Sequence, residues 1–121
     1  MRQDYTKALP IYKEIALNIE TAILEGELKS GERLSSLRES AVELEVNINT
    51  VMKAYNLLED EGILTKERGL GFFVTEEAPG IIKEKRREVF YQYTVPELAK
   101  TLSRLEIDLE DLVEILKKEK Q

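Results

Sequence analysis

Apolar residues recur at the spacing of an α-helix in the first part of the chain. The pattern begins at Pro10, which a first helical turn tolerates, and it predicts a helix over about residues 10–25. Gly26 is a suitable C-terminal stop for this helix. The apolar stripe consists of Ile11, Ile15, Ile19, Ala22 and Ile23.

Two further helices follow at close spacing. Ser36 and Glu39 form a capping-box pattern in front of a short helix over about residues 37–44, with Leu37, Ala41 and Leu44 on one face. Asn47 is a good N-cap for a third helix over about residues 48–61. The three-residue turn between the two helices is typical of a helix-turn-helix. The predicted buried stripe of the third helix consists of Val51, Ala54, Tyr55 and Leu58.

A β-hairpin is predicted after the third helix. Residues 63–66 and 72–74 are short runs rich in β-branched and aromatic residues, joined through the glycine-containing turn at 68–71. Three helices and a small hairpin together make a winged helix-turn-helix. Pro79 and Gly80 then mark a boundary, so the sequence predicts a DNA-binding domain over residues 1–78 and a separate tail over residues 79–121.

The tail has the pattern of two amphipathic helices. The first begins near Ile81 and is expected to continue past Pro96 as a bent element, although Thr94 with Glu97 is an alternative cap. Asp108 caps the second. Two isolated helices cannot bury this much apolar surface between them. We expect a second copy of the chain to bury it, and packing against the preceding domain is the alternative. The fold class is therefore mainly α with a small hairpin, followed by a two-helix dimerisation tail.

Composition excludes several classes of function. The 121 residues contain no cysteine and no histidine, which removes thiolate metal sites, the commonest general base and the commonest transition-metal ligand. We therefore expect no catalytic residue, no metal, no cofactor and no enzymatic activity. No apolar stretch approaches the roughly 18 residues of a membrane span, and no signal peptide is apparent. The sequence thus predicts a cytoplasmic protein that does not contact a membrane.

The charge distribution argues for a local rather than a general affinity for nucleic acid. The formal net charge is −6, and residues 1–78 alone carry 9 basic and 15 acidic residues, which is also −6. Residues 46–58, however, contain no acidic residue that would repel phosphate. An alternative reading of the net charge is a protein-interaction module on the same fold that has lost DNA binding.

The exposed face of the third helix supplies the candidate DNA contacts. Asn49 suits a bidentate contact to adenine, and Thr50 suits a base edge or a phosphate, whereas Lys53 is placed for phosphate. Arg38 would lie near the phosphate backbone or reach a guanine, and Arg68 and Gly69 at the hairpin tip suit the minor groove. The complete set expected to contact DNA is Ser36, Arg38, Asn47, Ile48, Asn49, Thr50, Lys53, Arg68 and Gly69.

Five segments stand in the order and at the separations of a known family. They are residues 26–38 (GELKSGERLSSLR), 46–51 (VNINTV), 54–55 (AY), 58–62 (LEDEG) and 69–74 (GLGFFV). Over about residues 10–75 the chain resembles the GntR family of bacterial transcription regulators, whose Pro-Ser-x-Arg motif is matched here by Ser36 and Arg38, with Ser35 in place of the proline. The family commonly has arginine where Ile48 stands, and some members have one where Met52 stands, so the resemblance implies major-groove contacts that are fewer and more apolar than usual.

The short tail resembles that of the YtrA-like branch of the family. This resemblance implies a homodimeric repressor that binds double-stranded operator DNA. Two recognition helices related by a two-fold axis predict a palindromic operator with half-sites about one helical turn apart. About 40 residues cannot enclose a conventional ligand pocket, so a small-molecule effector is expected only at the dimer or interdomain interface.

Overall fold

The computed structural model describes residues 9–120. The chain divides into two compact units, of which the described parts are residues 9–85 and 86–120. In chain order the elements are α1 (Ile11–Leu24), α2 (Leu37–Leu44), α3 (Ile48–Asp60), β1 (Leu64–Glu67), β2 (Gly71–Val74), α4 (Ala78–Val89), a π-helical segment (Phe90–Thr94), α5 (Val95–Arg104) and α6 (Leu109–Glu119). The predicted order of helices and strands is confirmed, and none of the helices among the described residues is long and apolar enough to cross a bilayer.

The core of the first unit is built around α3. The predicted stripe of α3 is buried over its full length, and it packs with the apolar faces of α1 and β1. Ile11, which the helical pattern assigned to the stripe of α1, is instead exposed, since it lies in the first turn and only Ile15, Ala16, Glu20 and Ile23 of that helix are buried. The remaining buried apolar residues are Leu34, Ile63, Leu64, Phe72, Val74, Ala78 and Ile82.

The hairpin is joined by a third extended segment that the sequence pattern did not predict. Strands β1 and β2 pair antiparallel, with Leu64 opposite Val74 and Glu67 opposite Gly71. On the other edge of β2, the Leu34 amide donates to the Phe72 carbonyl at 2.9 Å, and the Val74 amide donates to the Glu32 carbonyl at 2.9 Å. Residues 31–34 therefore tie the loop before α2 to the hairpin, so that both edges of β2 are paired.

The helix that follows the hairpin starts inside the core of the first unit. Ala78 and Ile82 of α4 are fully buried there. Pro79 lies in the first turn of α4, where its missing N–H has no helical acceptor to lose. The boundary expected between residues 78 and 79 thus falls within this first turn, whereas the two compact units divide between Lys85 and Arg86.

The helical path through Pro96 is continuous, as expected. The Val95 N–H donates to the carbonyl of Phe90, five residues back, and this wider turn defines the π-helical segment. Proline cannot donate a backbone hydrogen bond, and a local π-turn is a common way to accommodate it. Thr94 makes no side-chain capping bond, so the alternative of a new helix capped there is wrong. Asp108 does cap α6, by accepting from the Glu110 amide at 3.0 Å.

Candidate nucleic-acid interface

The start of α2 is fixed by the predicted capping box. The Glu39 amide donates to Ser36 Oγ at 3.0 Å, and the Ser36 amide donates to Glu39 Oε1 at 2.9 Å. These two bonds satisfy backbone donors that the helix itself leaves without acceptors. Arg38 is exposed on the same turn and helps to line an open groove of mixed charge, whose other charged residues are Arg33, Glu39 and Glu43. The geometry thus presents a guanidinium next to an ordered helix N-terminus.

The capping box makes part of the stability depend on pH. The hydrogen bond from the Ser36 backbone, then that from its side chain, and also the charge of Arg33 hold the pKa of Glu39 below its ordinary 4.5. A carboxyl group whose pKa is lowered on folding stabilises the fold above pH 4.5, and this contribution is lost as the pH falls through the lowered value.

We expect Glu39→Gln to weaken this acid dependence. Glutamine accepts the same bond from the Ser36 amide but does not titrate. The urea midpoint of the variant should therefore fall less than that of the parent between about pH 6 and pH 3. Glu43→Gln, which removes an exposed carboxylate one turn later on α2, is the matched control and should follow the parent. If the urea midpoint changed equally with pH in all three proteins, the result would contradict the assigned role of Glu39.

The turn between α2 and α3 places the start of α3 in solvent. Glu45 adopts the left-handed conformation (φ 55°), which reverses the chain after α2. Asn47 is the N-cap, as predicted, and its Oδ1 accepts from the Asn49 amide at 2.7 Å. Asn49 and Lys53 are exposed on the face opposite the buried stripe, whereas Asn47 and Ile48 are exposed at the start of the helix and Thr50 is half-buried. Apart from Thr50, the predicted reading residues of α3 are therefore open to solvent.

A buried polar network that sequence reasoning missed links α3 to the beginning of α2. The Tyr55 hydroxyl donates to the Ser35 carbonyl at 2.8 Å and lies 2.8 Å from Ser40 Oγ. Burial raises the pKa of Tyr55, while the bond with Ser40 acts in the opposite direction. Ser40 lies three residues after Leu37, on the predicted inner face of α2. A small polar residue in that stripe was the sequence signal that could have indicated a buried hydrogen bond. The network fixes the orientation of α3 relative to the capping box.

Lys53 has a neighbour that the sequence pattern did not suggest. Its Nζ lies 4.3 Å from the centre of the Tyr12 ring in α1, which is within the range of a cation–π contact. The contact limits the positions that the long lysine side chain samples on the surface of α3. Tyr12 is therefore a positioning residue for the lysine expected to meet phosphate.

The hairpin tip carries the last two predicted residues. Arg68 and Gly69 are both exposed in the loop between β1 and β2, and Gly69 has φ +76°, a conformation that glycine adopts without strain. The exposed Leu70 follows them. Neither Arg68 nor Gly69 lines the groove beside Arg38. The predicted site thus consists of the start of α2, the exposed face of α3 and the hairpin tip.

Comparison with known proteins identifies the family. Residues 11–74 match the bacterial regulatory proteins of the gntR family. Among curated proteins, the chain is 30% identical over 117 residues to the uncharacterized HTH-type transcriptional regulator YhcF of Bacillus subtilis, an alignment that covers 97% of this chain and 95% of YhcF. It is 40% identical over 81 residues to the HTH-type transcriptional repressor YtrA of the same organism, covering 67% of this chain and 62% of YtrA.

A solved structure agrees with this assignment over nearly the whole chain. A GntR family transcriptional regulator from Listeria monocytogenes superposes with a TM-score of 0.72 at 35% sequence identity, covering 96% of this chain and 98% of that one. These relatives are transcriptional regulators, which is consistent with a protein that is not an enzyme. The chain belongs to the GntR family and is a helix-turn-helix transcriptional regulator.

Proposed function

We propose that this protein is a homodimeric, cytoplasmic repressor that binds a palindromic operator with α3 in the major groove. The observation that carries DNA binding is the exposed face of α3, which presents amides, a hydroxyl and a lysine within an acid-free stretch, residues 46–58. A chain with net charge −6 binds DNA poorly outside such a surface, so nonspecific association is suppressed. The fold and the family are consistent with this surface being the one that reads DNA.

The proposed contacts divide by chemistry. Affinity comes from contacts to phosphates, made by helix N-termini and by Arg38, Lys53 and Arg68. Ser36 orders the start of α2, and Gly69 allows the hairpin tip to approach the DNA closely. Specificity comes from base-edge contacts at the start of α3. The residues assigned to that role are Asn47, Ile48, Asn49 and Thr50.

The second unit supports the dimer. Not one of the described residues from 86 to 120 is buried, although this unit forms two well-defined helices with strong apolar stripes. A helical unit of this size without an interior of its own needs a partner surface. A second copy related by a two-fold axis covers the stripes and sets the distance between two recognition helices. The exposed apolar residues on α5 and α6 are Val95, Leu98, Leu109, Val113, Ile115 and Leu116.

The proposal includes a small-molecule effector at the dimer or interdomain interface. Binding at either place would change the separation or the angle of the two recognition helices. A change of a few ångströms would weaken the simultaneous fit of both helices to one operator, because half-site spacing is fixed by the DNA helix. Repression would then respond to the effector without any change in the reading residues.

Selection of bound duplexes from a randomised pool at physiological salt tests the proposal. A two-fold symmetric site with half-sites about one helical turn apart is the expected product. An asymmetric site would retain DNA binding and reject the symmetric dimer. Recovery of nothing above background, with the folded full-length protein, would reject DNA binding and favour the protein-interaction module.

Alanine substitutions separate the two kinds of contact. Asn49→Ala should relax the base preference at one position of each half-site and lower affinity about tenfold per half-site. Lys53→Ala should weaken all sequences alike and lower the salt slope by about two, one for each subunit of the proposed dimer. Asn56→Ala, an exposed asparagine two turns further along α3, is the control and should bind as the parent does. Parent-like binding by both test variants would show that this face does not read DNA.

A further inference from the structure

The exposed face of α3 carries two apolar side chains that the core does not use. Ile48 is 41% exposed and Met52 is 40% exposed, whereas the buried stripe of the same helix is at most 2% exposed. The two residues are four apart, so they stand one above the other on the same side of the helix, with their Cβ atoms about 5–6 Å apart. Ile48 is the first residue of α3, the end that reaches base edges in helix-turn-helix proteins.

The surroundings of this pair point to DNA rather than to an apolar protein surface. Asn49 and Lys53 flank it, and no acidic residue occurs between residues 46 and 58. The Lys53 ammonium contacts the Tyr12 ring of α1, 4.3 Å from its centre. A cation and an amide next to the two apolar side chains complement a polyanion that also presents methyl groups.

Thymine is the base that fits these two side chains. The C5-methyl of thymine is the only methyl group on the major-groove edges of the four bases, and most other groups there are hydrogen-bond donors or acceptors. Placing isoleucine or methionine against those polar groups would remove water from them without replacing its hydrogen bonds. Side chains about 5–6 Å apart match methyl groups on base pairs one or two steps apart, at about 3.4 Å per step.

We infer that Ile48 and Met52 read a pair of thymine methyl groups in each operator half-site. The inference rests on the proposed function and deepens it, because it names the base and the chemical group that specify the operator. Isoleucine fixes one methyl through its stiff branched side chain, and the flexible thioether of methionine fills the space around the second. The half-site therefore contains two thymines on neighbouring or next-neighbouring base pairs.

Replacement of thymine by uracil tests this directly, because uracil pairs identically and lacks only the methyl group. The duplex that the parent protein selects is synthesised with uracil at one thymine at a time in both half-sites. At two positions, uracil should lower the affinity of the protein for the duplex about fourfold per half-site. This is the expected effect of removing one buried methyl group. Ile48→Ala should abolish the uracil effect at one of these positions and Met52→Ala at the other, since the methyl group then has no partner to lose.

Leu70→Ala is the matched control. Leu70 is an exposed apolar residue at the hairpin tip, away from the major groove where the methyl groups lie, so its removal should leave both uracil effects unchanged. The urea midpoints of the three variants establish that each is folded. A selected site without thymine pairs, tolerance of uracil at every position, or equal uracil effects in parent and variants would each overturn the inference while DNA binding stands. Failure of the parent to select any duplex would overturn the proposed function together with it.

Discussion

Leu98→Glu should convert the proposed dimer into a monomer of 13.9 kDa and lower its affinity for the selected palindrome by about 100-fold. Leu98 lies on the apolar stripe of α5 and is 39% exposed in the single chain. In a two-fold interface the substitution places a carboxylate from each copy in an apolar contact, where neither is solvated. The two half-sites are then bound by separate monomers, and the extra affinity that comes from joining two recognition helices in one dimer is lost.

Sedimentation measures the mass, and titration of full-site and half-site duplexes measures the affinity. The variant should bind a single half-site as the parent does, because its recognition helix is unchanged. Ser103→Glu introduces the same charge on the opposite side of α5 and is the control, which should remain dimeric. A parent protein that sediments as a monomer at micromolar concentration, or a Leu98→Glu variant that remains a dimer, would reject the tail as the dimerisation element.

Local sequence signals were sufficient for most of the first unit. The caps at Ser36 and Asn47 and the buried stripe of α3 depend on residues two to four apart, and the structure confirms all of them. Interactions within one helical turn are determined by short stretches of sequence, so they can be read without knowledge of the fold. The predicted winged helix-turn-helix follows from their order.

The features that were not predicted join residues distant in the sequence. The pairing of residues 31–34 with β2 adds an extended segment that has no alternating pattern of its own. Ser40 is buried because it meets Tyr55 of another helix, and Glu20 is buried because it meets Lys85, which is 65 residues away. A polar residue is normally assigned to the surface unless its partner is known. The candidate site shows the same limit, since Tyr12 comes close to Lys53 only through the packing of α1 on α3.

The cluster around Lys85 joins three helices of the first unit. The Lys85 ammonium, on α4, donates to the carboxylate of Glu20 on α1 and, at 3.0 Å, to Oε1 of Glu61 at the end of α3. Glu20 is 1% exposed, and Lys85 is 37% exposed at its side chain. Burial alone would lower the pKa of Lys85, but the hydrogen bonds and charges of Glu20 and Glu61 outweigh it and raise the pKa. The contribution that the Lys85 charge makes to stability is therefore fully present below pH 10.5 and is lost as the pH rises through the raised value.

Lys85→Met should lower the free energy of unfolding at neutral pH by about 2 kcal/mol. The substitution keeps the length of the side chain but removes the ammonium partner of a buried carboxylate. Loss of one partner from a fully buried pair costs about 3–5 kcal/mol, and the partial exposure of Lys85 reduces this cost because water replaces some of the lost interaction. Urea unfolding at one fixed protein concentration measures the change, since the proposed dimer would make stability depend on concentration.

Two further variants separate the ion pair from simple loss of a lysine. Lys83→Met changes an exposed lysine two residues earlier on α4 and should alter stability by less than about 0.5 kcal/mol. Glu20→Met combined with Lys85→Met should recover most of the loss, because an apolar pair of similar size leaves no buried charge without its ammonium partner. A Lys85→Met variant as stable as Lys83→Met, or a double variant less stable than Lys85→Met alone, would show that the cluster does not hold α4 against α1 and α3. The cluster contributes to the stability of the first unit by joining α4 to α1 and α3.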